Sequence, residues 1–132
     1  MSIGNVYEFH QKFGFPQGGP DELTLNHENQ KFRVGFLEEE ISELKEALAK
    51  GNRIEAFDAL LDLVYVAHGT ALFMGVTPAQ WAAGMHAVHS ANMAKVRVTS
   101  ALDSKRKNAF DAKKPHGWVG PEARLAEILS WE

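Results

Sequence analysis

The sequence predicts an all-α domain, a helical bundle whose core is completed by homo-oligomerisation. Three observations predict it. Apolar residues recur at steps of three and four through most of the chain, with no strand-like alternation anywhere. Glycines that stop helices and polar residues that open them punctuate those stretches. The chain has 132 residues, 45% of them hydrophobic, enough for a single domain over residues 1–132. Long apolar helices in so small a domain would finish burying themselves against further copies, as a dimer or tetramer.

The elements follow in order. Residues 6–13 space Val6, Phe9 and Phe13 as a short amphipathic helix ending at Gly14. Residues 14–20 hold three glycines and two prolines in seven positions, and residues 21–29 are polar, so an ordered loop or lid is expected there. Val34, Leu37, Ile41, Leu44 and Leu48 mark a first long helix over residues 30–50, stopped by Gly51-Asn52. Residues 53–74 give a second long helix, closed by Gly75, and Thr77-Pro78 caps a third running to about Arg97. Residues 99–114 are rich in Lys, Arg, Asp, Ser and Asn, residues 114–118 form a turn fixed by Pro115 and Gly117, and residues 121–131 are a short final helix.

Composition narrows the function. A formal net charge of −3 argues against gripping a nucleic-acid backbone. Cysteine is absent, so any metal is held by oxygen or imidazole. Residues 1–10 lack a basic stretch followed by an apolar run, so no secretory signal is expected. The most apolar segment, residues 56–76, contains Asp58, Asp62 and His68, which disfavours a membrane span. A cytoplasmic protein is expected.

The second long helix is apolar on nearly all sides, as a helix buried on most sides would be, except for its acids. At 100° per residue Glu55, Asp58 and Asp62 fall in a stripe about 60° wide, with Gly69 on the same line. Buried carboxylates one turn apart repel each other and need compensation, either from a divalent cation or from Arg33 or Arg53. The first long helix offers Glu38, Glu39, Glu40 and Glu43, which an antiparallel hairpin can bring to Asp58 and Asp62. An all-oxygen cage of this kind suits Mg²⁺ or Mn²⁺. The run of glutamates is otherwise a solvated face. No Glu-x-x-His occurs, which disfavours a di-iron bundle, and His86 and His89, three apart, lack a third ligand for zinc.

These residues resemble a known family. Leu37-Glu38-Glu39-Glu40-Ile41-Ser42-Glu43-Leu44 is similar to the Glu-Glu-x-x-Glu motif of the MazG-like pyrophosphohydrolases, and the stretch from Asp62 to Ala71 resembles their second metal-binding helix. Glu8-Phe9-His10, Phe13-Gly14, the segment from Val88 to Lys95 and Lys114-Pro115-His116-Gly117-Trp118 extend the likeness over most of the chain. It looks closest to the phosphoribosyl-ATP pyrophosphohydrolase-like branch of bacteria and phages, which includes phage MazZ-type enzymes acting on deoxyguanosine triphosphate. One departure stands out. The family's Glu-x-x-Asp would put a glutamate where this chain has Ala59, leaving Asp58 or Glu55 to complete the site.

The resemblance implies a MazG-like bundle that hydrolyses a nucleoside triphosphate, a purine deoxynucleotide such as dGTP, to monophosphate and pyrophosphate. It implies two or three Mg²⁺ ions held by Glu39, Glu40, Glu43 and Asp62, with Asp58, and Glu39 or Glu40 as the catalytic residue that orients or deprotonates water. Asn92, Lys95 and Lys114 would meet sugar and phosphates, with Lys105, Arg106, Lys107 and Lys113 nearby in sequence. Phe9, His10, Phe13 and Trp118 offer aromatic faces to a base. Phosphoribosyl-ATP pyrophosphohydrolysis is the alternative activity, and a non-catalytic helical dimerisation module is the alternative without one.

Overall fold

A computed structural model of the chain describes residues 2–16 and 27–131, which form five α-helices, one 3-10 turn and a two-stranded ladder. They fall into two compact units, Met1–Trp81 and Ala82–Glu132.

In the first unit, α1 (Ile3–Phe13) opens where the backbone N–H of Ser2 donates to Asn5 Oδ1 at 3.0 Å. It ends as the sequence predicts. Gly14 is left-handed, and the Phe15 N–H reaches back to the His10 carbonyl at 2.9 Å, a closure that folds Phe15 onto the helix it has just left. The expected loop or lid lies mostly on residues 17–26, outside the described residues. Its last part is helix instead, because α2 (His27–Ala49) starts at His27, with Glu28 favourably placed in its first turn.

The connection from α2 to α3 (Arg53–Phe73) is as short as expected. Gly51 sits at φ 67°, a conformation that costs a side-chain-bearing residue about 1 kcal/mol or more, and the Asn52 N–H closes on the Ala47 carbonyl at 2.9 Å. Asn52 then turns capper, its side chain accepting from the Glu55 N–H at 3.1 Å. One residue thus finishes α2 and starts α3, which fixes the antiparallel register of the hairpin. Ala47, Ala56 and Ala59 are buried along it, small side chains that let the two helices approach. Ile3, Val6 and Leu72 form the buried cluster between α1 and α3, with Tyr7, Tyr65 and Trp81 packed around it.

α3 is less covered than its composition predicts. Among the described residues Ile54 (82% exposed), Phe57 (63%), Leu60, Leu61 and Val64 form an open apolar stripe at helical spacing. The reason is that, among the described residues of this unit, α1 and α2 cover only part of the helix. By length and composition alone α3 could cross a bilayer, but Glu55, Asp58 and Asp62 would be costly there.

α4 (Pro78–Met93) is capped reciprocally. The Thr77 N–H donates to Gln80 Oε1 at 2.9 Å, and the Gln80 N–H to Thr77 Oγ1 at 3.1 Å. It stops four residues short of the expected end at Arg97. Val96-Arg97 is instead strand β1, paired antiparallel with β2 (Ala112–Lys113), Val96 opposite Lys113. This corrects the expectation of no strands. In the second unit, residues 99–114 are ordered by local polar contacts. Ser104, 1% exposed, donates to Asp111 Oδ2 at 2.7 Å, and Lys113 pairs with Asp103 at 2.7 Å. The turn at residues 115–118 forms as predicted, with Gly117 at φ 78° and the Trp118 N–H on the Pro115 carbonyl at 3.1 Å. The final helix, α5 (Glu122–Leu129), buries Ile128.

Candidate metal centre

The hairpin register brings together acids that are far apart in sequence. Glu40 on α2 and Asp62 on α3 lie equally far from Gly51, and Glu43 is one turn from Glu40 on the same helix face. Each of the three offers a carboxylate oxygen within 4.8 Å of the others. Among the described residues they are the one group of three or more potential ligands so arranged. Glu40 is 6% exposed, Asp62 is half-buried and Glu43 is open to solvent.

Glu40 carries the electrostatic cost of this arrangement. Its Oε2 is buried with no hydrogen-bond partner. Burial, then hydrogen bonding to Glu43, then the charges of Glu43, Asp62 and Glu39 push its carboxyl up to about 7. Asp62 is also raised, by burial and by the charges of Asp58 and Glu43. Among the described residues no basic side chain pairs with either of them. Arg33 was the sequence's candidate, yet its Nε donates to Thr70 Oγ1 at 3.1 Å and its Nη2 to the Val66 carbonyl at 2.9 Å. Arg53 is exposed and makes no ion pair among the described residues. A cluster of close oxygens, an orphaned buried oxygen and unrelieved repulsion together fit a hard divalent cation.

The other expected acids sit around this centre. Glu39 and Asp58 are exposed, and their charges act on Glu40 and Asp62 respectively. Glu55 is exposed in the first turn of α3. Ala59 is buried. His86 and His89 are exposed on α4 and belong to no such ligand group.

Along the hairpin from the acids lies a cavity of which sequence reasoning named only Phe9 and His10 as base contacts. It encloses about 310 Å³ between α1, α2 and α3. Its walls carry the rings of Phe9, Phe15, Phe32, Phe36, Tyr65 and Phe73. His10 and Arg33 supply the polarity, and both are nine-tenths buried or more. His10 Nδ1 has no partner, and burial, with the charge of Arg33, holds its imidazole below the usual histidine range and so neutral. Gly69 makes the packing possible. A Cβ there would lie 2.7 Å from Arg33 Nη2 and 3.0 Å from His10 Nε2. The available signal was Phe32, Arg33 and Phe36 on one face of α2, opposite a glycine on α3.

Of the expected substrate contacts, His10 therefore lines the cavity, whereas Phe13 is exposed and touches the wall through Phe9 and Phe15, at ring-centroid distances of 4.8 and 6.1 Å. Lys95, Lys114 and Trp118 meet in the second unit. The Trp118 indole N–H donates to the Ala91 carbonyl at 2.8 Å, and the ammonium groups of Lys95 and Lys114 sit 5.4 and 5.0 Å from its ring centroid. Asn92 is exposed near the end of α4.

An uncharacterised protein of Acanthamoeba polyphaga mimivirus is 32% identical over 74 residues, covering 54% of this chain and 30% of that protein. The chain thus spans under a third of the length of this curated relative. The profile of the phosphoribosyl-ATP pyrophosphohydrolase family matches residues 6–92. That match takes in Glu40, Glu43 and Asp62 and covers more than half of the sequence, so the chain belongs to the phosphoribosyl-ATP pyrophosphohydrolase family, within the MazG-like all-α superfamily.

Proposed function

We propose that this chain, acting as one functional domain over residues 1–132, is a metal-dependent nucleoside triphosphate pyrophosphohydrolase. It cleaves the α–β phosphoanhydride bond of a purine deoxynucleotide such as dGTP, giving monophosphate and pyrophosphate. The observation that carries this reading is the Glu40, Glu43 and Asp62 cluster with its orphaned buried oxygen. Repelling carboxylates held together by a rigid hairpin are of little use to stability and well suited to an ion.

Glu39, Glu40, Glu43, Asp58 and Asp62 would hold two to three Mg²⁺ or Mn²⁺ ions. Asp58 is favoured over Glu55 in the place of the family glutamate, because its charge is one of those felt by Asp62. Bound Mg²⁺ supplies charge screening for the phosphates and lowers the pKa of a nearby water. Glu39, which is exposed, or its neighbour Glu40 would orient or accept a proton from the attacking water. Lys95 and Lys114 offer cationic donors to phosphate, Trp118 a ring face and Asn92 an amide. The stripe of Phe57, Leu60, Leu61 and Val64 supports a homo-oligomer, dimer or tetramer, that covers it. The acidic balance of the chain disfavours a nucleic acid as partner, and a cytoplasmic site of action away from membranes belongs to the same reading.

The family match favours phosphoribosyl-ATP as a second substrate, with the same residues at work. Release of monophosphate and pyrophosphate from the common dNTPs, the NTPs and phosphoribosyl-ATP, with and without Mg²⁺, decides between them. Glu43→Gln and Asp62→Asn should each lose activity by about 100-fold or more. Absence of turnover for every nucleotide would defeat the enzyme reading and leave a helical dimerisation module.

A further inference from the structure

We propose that the cavity between α1, α2 and α3 is a base pocket in which Arg33 reads the O6 and N7 edge of a 6-oxopurine. The proposal rests on the hydrolase reading for its nucleotide, but the pocket argument is independent of the chemistry.

Arg33 is 7% exposed and faces no carboxylate among the described residues. A guanidinium has five N–H donors. Two are used against α3, Nε on Thr70 Oγ1 and Nη2 on the Val66 carbonyl, which fixes the plane of the group. Among the described residues the other three meet no acceptor, and they include an adjacent pair at the tip of the fork. Around it stand Phe32, Phe36 and Phe73, with ring centroids 5.7, 5.4 and 5.2 Å from the guanidinium carbon. A cation so placed calls for a flat partner that stacks on rings and presents two adjacent acceptors on one edge.

The purines divide on that requirement. Guanine and hypoxanthine show two acceptors, O6 and N7, to which arginine binds in bidentate fashion, whereas adenine shows N7 beside an N6 amino donor. Of the pyrimidines, cytosine has an adjacent acceptor pair, O2 and N3, on a different edge, but its single ring fills less of the cavity than a purine does. His10 Nδ1, buried and without a partner, is a second polar atom in the same wall. The size also agrees: about 310 Å³ lies at the small end of ligand pockets and suits a single bicyclic base.

Position along the hairpin gives the rest. Phe36 is one turn before Glu40 on α2, and Tyr65 and Val66 are one turn after Asp62 on α3. The pocket therefore begins about 5–6 Å along the helices from the acids. A base in it would have its sugar and phosphates running towards the carboxylates that hold the cation.

The test is equilibrium binding by titration calorimetry, without metal, of dGMP, dIMP, dAMP and 7-deaza-dGMP, the last lacking the N7 acceptor. dGMP and dIMP should bind about 10-fold or more tighter than dAMP, and 7-deaza-dGMP should fall towards dAMP. In Arg33→Lys, folded by circular dichroism, the preference should collapse, which a purely structural role for Arg33 does not predict. Equal affinity for dGMP, dIMP and dAMP, or no effect of removing N7, would overturn the proposal without any variant. Binding preference without hydrolysis would sink the hydrolase reading and leave the pocket, and metal-dependent hydrolysis without preference would do the reverse.

Discussion

Replacing Glu40 by Gln should make the metal-free protein more stable while making it deaf to metal. Glu40 is buried, its Oε2 has no partner, and its carboxyl is raised from 4.5 to about 7. At about 1.36 kcal/mol per tenfold change in proton affinity, ionising it in the folded chain costs about 3 kcal/mol. Exposed Glu43 can swing towards water and relieve part of this, so about 1–3 kcal/mol should be recovered by a neutral side chain of the same shape. The sign follows from linkage. Between pH 4.5 and about 7 the folded chain holds a proton that the unfolded chain has lost, so this group's stabilising effect is full below 4.5 and is lost as pH rises through about 7. Melting followed by circular dichroism should therefore show Glu40→Gln close to the unmodified chain near the acid end of that window. At about pH 8 without metal it should melt about 3–10 °C higher. Adding Mg²⁺ or Mn²⁺ at about pH 8 should raise the melting temperature of the unmodified chain and not that of Glu40→Gln. A variant that is less stable than the unmodified protein at about pH 8, or that gains as much from metal, would refute the reasoning.

Three further outcomes are expected. Gly69→Ala places a Cβ 2.7 Å from Arg33 Nη2, so urea unfolding should show a loss of about 1–3 kcal/mol and Arg33 should be displaced from Thr70. Phe57→Asp puts a charge on the open stripe of α3, and sedimentation should show a smaller assembly than the unmodified chain forms; an unchanged sedimentation coefficient would take the stripe out of any interface. Trp118→Ala removes the ring beneath Lys95 and Lys114, and should raise KM for nucleotide by about 5- to 30-fold with a smaller effect on kcat, read from steady-state kinetics.

Much of the helical framework was legible because its signals are local. Gly14, Gly51-Asn52, Gly75 and Thr77-Pro78 each act through bonds to residues three to five positions away, and α1, α3 and α4 start or stop beside them. The ladder was not legible, since Val96 and Lys113 are far apart in sequence and the strands are two residues long. For the acids, their character and their helices could be read, whereas which of them converge depends on hairpin register. Glu40 and Asp62 stand equally far from Gly51, and that symmetry was the available clue. Arg33 was visible only as a possible partner for aspartate. Its actual role needed Gly69, Thr70 and Val66 from the facing helix, which no periodicity on α2 can announce.

The tight connection at Gly51-Asn52 has a consequence for how this chain can change length. Adding one residue between Glu40 and Asp62 would rotate everything after it by about 100° and shift it by about 1.5 Å. Asp62 would swing off the line of the glutamates, and Val66, Gly69 and Thr70 would swing with it away from Arg33. Ion and pocket would fail together from a change that touches neither. Insertions and deletions should therefore be excluded from residues 40–62 and concentrate outside it, and a scan of single-residue insertions read by metal-induced stabilisation would draw that boundary.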